Sequence, residues 1–68
     1  MYGDNMIQVE AFEEENEEDL RDVINSFLED IEDSDFIDIK YSSSHFISKN
    51  GEQVFSFSAI VIYKIMVK

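Results

Sequence analysis

The only histidine of this 68-residue chain, His45, follows three serines, Ser42, Ser43 and Ser44. Such a cluster suggests acyl transfer, with the imidazole taking a hydroxyl proton. That chemistry also needs an oriented carboxylate, a strained nucleophile and an oxyanion hole, and no Gly-x-Ser-x-Gly elbow occurs. A serine run in a β-strand reads instead as a solvated or closely packed surface. Carboxylates are abundant, with 16 acids against 5 bases. General acid catalysis needs one carboxyl isolated in a dry pocket, and a chain this short is too small to build a deep cleft. Asp30, Glu32, Asp33, Asp35 and Asp38 suggest a calcium loop, but its turn glycine is missing and the segment passes into a strand. Gly3 and Gly51 are the only glycines, so there is no phosphate-cradling loop, and the absence of cysteine removes zinc-thiolate sites and disulfides. No catalytic residue, cofactor or metal site is expected.

The elements that would carry these side chains follow from charge and periodicity. Residues 1–38 hold 15 acids and one base, whereas residues 39–68 hold one acid and four bases. Such acidity can mark disorder, but 44% of the residues are apolar, 13% are aromatic, and they fall into periodic segments. A folded domain with one acidic wall is expected. Residues 1–5 read as a flexible leader and residues 6–68 as one domain. In Met6–Phe12, Ile7, Val9 and Ala11 alternate with Gln8 and Glu10, the pattern of a half-buried strand. Asn16 is placed to cap a helix whose first turn is acidic, and Leu20, Val23, Ile24, Phe27, Leu28 and Ile31 form its apolar stripe. Glu29 to Asp33 put negative charge at the wrong end of the helix dipole.

Beyond Ser34 the period becomes two. Phe36–Ser48 and Glu52–Lys68 flank Asn50-Gly51, a strong hairpin signal. A two-residue loop would set Ile47 opposite Val54, Tyr41 opposite Ile60 and Ile39 opposite Ile62. One face would then hold Ile37, Ile39, Tyr41, Ile47, Val54, Ile60 and Ile62. The other would hold Phe46, Phe55, Phe57, Ala59, Val61 and Tyr63. A bulge near Ser42–Ser44 would shift this pairing. The expected fold is α+β, in β-α-β-β order, with one amphipathic helix packed on a three-stranded, mainly antiparallel sheet. One helix covers one face only. The second face, taken as that of Phe46, Phe55, Phe57, Ala59, Val61 and Tyr63, is therefore expected to associate with another copy, a dimer being the simplest case.

A net charge of −11 argues against direct binding to nucleic acid or to anionic membrane. No apolar run approaches the roughly 20 residues of a spanning helix, and a cytoplasmic location is expected. A rigid row of carboxylates would instead imitate duplex phosphates and occupy the groove of a basic protein. Glu14, Glu17, Glu18, Asp22, Glu29 and Asp33 are the residues expected to bind such a partner.

Met6-Ile-Gln-Val, Asp19-Leu20, Val23–Leu28, Ile37-Asp-Ile-Lys40 and Phe55-Ser-Phe-Ser-Ala-Ile-Val-Ile-Tyr63 resemble the Cse-type small sporulation proteins of Bacillus and Bacillus phages. The resemblance covers Met6 to about Lys64 and brings no catalytic motif with it. The dense acids of Glu13–Asp19 and the first five residues depart from the family pattern. Phage membership would fit an inhibitor or decoy that blocks a basic host protein, one that handles nucleic acid or defends against phage. The alternative is a sporulation-associated structural protein whose main property is self-association.

Overall fold

The computed structural model describes residues 4–67, in which β1 (Asp4–Glu14), α1 (Glu17–Leu28), a 3-10 turn (Asp33–Asp35), β2 (Phe36–Ile47) and β3 (Gln53–Val67) follow one another. The strands form a single antiparallel sheet of order β1-β3-β2, with α1 packed across one face. This is the α+β architecture read from the sequence. Of the expected leader, residues 1–3 lie outside the described residues. Asp4 and Asn5 belong to β1, paired with Val67 and Met66.

Asn16 caps α1. Its backbone is extended, its side-chain oxygen accepts from the amides of Glu18 (2.8 Å) and Asp19 (3.3 Å), and its carbonyl takes the Leu20 amide. The helix ends earlier than its apolar periodicity suggests. Glu29 is the C-cap, and Ile31 lies beyond it, where its amide donates to the Leu28 carbonyl. No base stands in the last turn to offset the dipole.

The hairpin departs from the expected register by one residue. Ser48 donates its amide to the Glu52 carbonyl, and Gly51 donates back to the Ser48 carbonyl, so the loop is the three residues Lys49-Asn50-Gly51. Gly51 has φ 82°, while among the described residues no non-glycine residue has positive φ. A two-residue type I′ turn would need positive φ at both loop positions, whereas a three-residue loop needs it only at the glycine. Ile47 therefore faces Gln53, Tyr41 faces Ala59 and Ile39 faces Val61. Because side chains alternate, this one-residue slip moves the β2 residues from Asp38 to Ile47 to the face opposite the expected one. The ladder irregularity falls between Phe36 and Asp38, and Ser42–Ser44 run regularly.

The core is small. Leu20 and Ile24 of α1 meet Ala59 and Val61 of β3, and Val61 has no exposed surface. Phe12, Val23, Phe27, Leu28, Phe57 and Tyr63 surround them. Phe27 is held edge-on between Phe12 (5.4 Å between ring centres) and Tyr63 (5.3 Å). The 15 residues of β3 span about 50 Å and the 12 of α1 about 18 Å, so the helix covers only the middle of its face.

Candidate functional site

The six carboxylates expected to bind a basic partner do not form one row. Glu18, Asp22 and Glu29, four and seven residues apart, follow the outer ridge of the helix, with Glu18 at its β2 side. Glu17 turns toward β2, where the Tyr41 hydroxyl donates to its Oε1 at 3.4 Å. Glu14 ends β1 and is half-buried, while Asp33 stands in the 3-10 turn beyond the far end of the helix. Arg21 pairs with Asp22 at 3.5 Å, a largely exposed contact of small energetic value. Desolvation of the Tyr41 phenol, and then the charge and hydrogen bond of Glu17, raise its pKa above the ordinary value.

Strand alternation separates the serine–histidine cluster. Ser43 and His45 share the helix side of the sheet, opposite Phe57 and Phe55, while Ser42 and Ser44 point to the other side. His45 lies flat on Phe55, with ring centres 4.6 Å apart. Among the described residues no group of three or more His, Asp or Glu side chains is placed to hold a metal ion, and no helix is long and apolar enough to cross a membrane.

The surface expected to self-associate lies largely beneath the helix. Ala59 and Val61 are the chain's own core, and Phe57 and Tyr63 pack against it. Phe55 shares their face but lies past the helix N-terminus, 45% exposed. Phe46, paired with Val54, belongs to the opposite face. Two features explain this reversal. Ala59 lets the helix backbone approach closely, and Phe12 and Tyr63 clamp Phe27 on that side.

The uncovered face therefore carries Ile7 and Val9 of β1, Ile60 and Ile62 of β3, and Phe46 of β2. Ile7 is 66% exposed, Val9 61% and Ile60 42%. The charged side chains that the strands place on this face are Glu13, Asp38, Lys40 and Lys64, two of each sign. β1 turns Ile7, Val9 and Ala11 to this face and Gln8 and Glu10 to the helix side, so its alternation marks an apolar face without telling that the helix covers the other.

A second opening lies on the helix side. α1 packs over β1 and β3 and leaves a groove of about 550 Å³ between itself and β2. Leu20 and Ile24 line it from the helix, Ile39 and Tyr41 from β2, and Glu17, Glu18, Arg21 and Asn25 complete its lining. No sequence signal marks this groove, because it depends on the sideways offset of the helix.

A family model described as "Sporulation protein Cse60" matches residues 6–65. The chain is 46% identical over 59 residues to the sporulation protein cse60 of Bacillus subtilis (strain 168), an alignment that covers 87% of this chain and 98% of that protein. No solved structure matches.

Proposed function

The chain belongs to the Cse60 sporulation-protein family, and we propose that it works by self-association through the uncovered sheet face rather than by catalysis. One observation carries this reading. The face that combines exposed Ile7, Val9 and Ile60 with Ile62 is also the one where charge is balanced. Two copies meeting there bury apolar side chains worth about 1.5–3 kcal/mol each when fully covered, before the costs of association. They also keep their acidic helices on opposite outer sides, where repulsion is weakest. Sedimentation equilibrium of the full chain tests the idea. The native chain should dimerise, and Val9→Asp and Ile62→Asp should stay monomeric while keeping native circular dichroism. A monomeric native chain, or variants that associate equally well, would overturn it.

A second reading rests on the helix ridge. Glu18, Asp22 and Glu29 project outward, with Arg21 the only base in the helix. As a decoy, the protein would present this ridge to a basic host protein. Replacing the three with Gln, Asn and Gln would then abolish partner binding and leave self-association untouched.

A further inference from the structure

We infer that the outer edge of β2, together with the groove above it, is a docking site for an extended peptide that carries an apolar residue and a Lys or Arg two positions apart, on one face of its strand. Strand order β1-β3-β2 leaves β2 at the sheet margin, and all twelve of its residues are exposed. The two margins differ in charge. β1 carries Glu10, Glu13 and Glu14, whereas Tyr41-Ser42-Ser43-Ser44-His45-Phe46-Ile47 of β2 has no formal charge at pH 7, no proline and no glycine. Charges and prolines are what ordinarily discourage strand addition, so β2 is the open template.

The backbone is oriented for such addition. The Ser42 carbonyl accepts from the Ser58 hydroxyl of β3, while the Ile39 amide donates to the carboxylate of its own neighbour Asp38 at 2.8 Å. Antiparallel alternation then turns the amides and carbonyls of Tyr41, Ser43 and His45 outward along the edge. A peptide strand bonded there sends every second side chain to the helix side, into the groove over β2. One apolar residue would lie against Ile24 and Ile39. Two residues along, beside Tyr41, a Lys or Arg would meet Glu17 and Glu18. The chain's own charge of −11 supports a basic strand over a second copy of β2, whose pairing would bring two acidic helices side by side.

The probe is a fluorescein-labelled peptide of about eight residues, Thr-Val-Thr-Lys repeated twice with blocked ends so that Val and Lys follow one another on one face, titrated against the full chain by fluorescence anisotropy at low salt. Saturable binding is expected, with amide NMR shifts concentrated in Tyr41–His45. N-methylation of alternate peptide amides removes the edge hydrogen bonds and should weaken binding roughly tenfold or more. Glu17→Gln with Glu18→Gln should weaken it by a similar factor. Equal binding of the N-methylated peptide, shifts confined to Ile7, Val9, Ile60 and Ile62, or retention of full affinity by the double variant would overturn the assignment. So would a concentration-dependent protection of the β2 amides without peptide, which would identify a second copy as the occupant.

Discussion

Two neighbouring side chains on β3 show how much depends on which face a residue occupies. Val61 is wholly buried against α1, and Ile62 lies on the uncovered face. Val61→Asp places an unpaired charge in a four-residue core and should destabilise the chain by roughly 4 kcal/mol or more. Ile62→Asp should change monomer stability by less than about 1 kcal/mol, and urea unfolding of the two variants separates these outcomes. Tyr41 offers a second test. Its phenol is raised by desolvation and by the Glu17 carboxylate. The folded state therefore favours the protonated phenol. That contribution is complete below the ordinary phenol range and vanishes as pH climbs through the raised value. In Glu17→Gln the ionisation should move some way back down, as read from the Tyr41 ring resonances in an NMR titration.

The ends of α1 are unequal. Asn16→Ala removes the acceptor for two amides and should cost about 1 kcal/mol in urea unfolding. Glu29→Lys with Asp30→Lys should raise stability by roughly 0.5–1 kcal/mol, since no base now faces the C-terminal dipole. The cap, the helical stripe and the three strands were all legible, because each rests on local periodicity. The hairpin register was not. Asn-Gly serves a two-residue loop with both residues left-handed, or a three-residue loop with glycine last, and only the sign of φ at Asn50 distinguishes them. The choice of sheet face was hidden for another reason. Ala59 and Val61 alternate with Ile60 and Ile62, so β3 reads as apolar on both sides, and which side takes the helix depends on shape rather than hydropathy.

At the scale of the molecule, charge and apolar surface are segregated to opposite sides of the sheet. Association through the uncovered face joins two copies of charge −11, so screening should strengthen it, and the dimer fraction should rise between low and moderate salt. Binding of the acidic ridge to a basic partner should respond in the opposite direction, falling as salt is added. Sedimentation and pull-down at matched ionic strengths read both slopes. The pairing of Asp4 with Val67 has a mechanical consequence. The outer ends of β1 and β3 leave the sheet side by side, so tension applied between them loads the ladder like a zipper. Its rungs open in succession from Asp4–Val67 inward, at low force and without a sharp yield. Resistance should rise when the tear reaches Tyr63 and then Val61, the first rungs that the helix holds down.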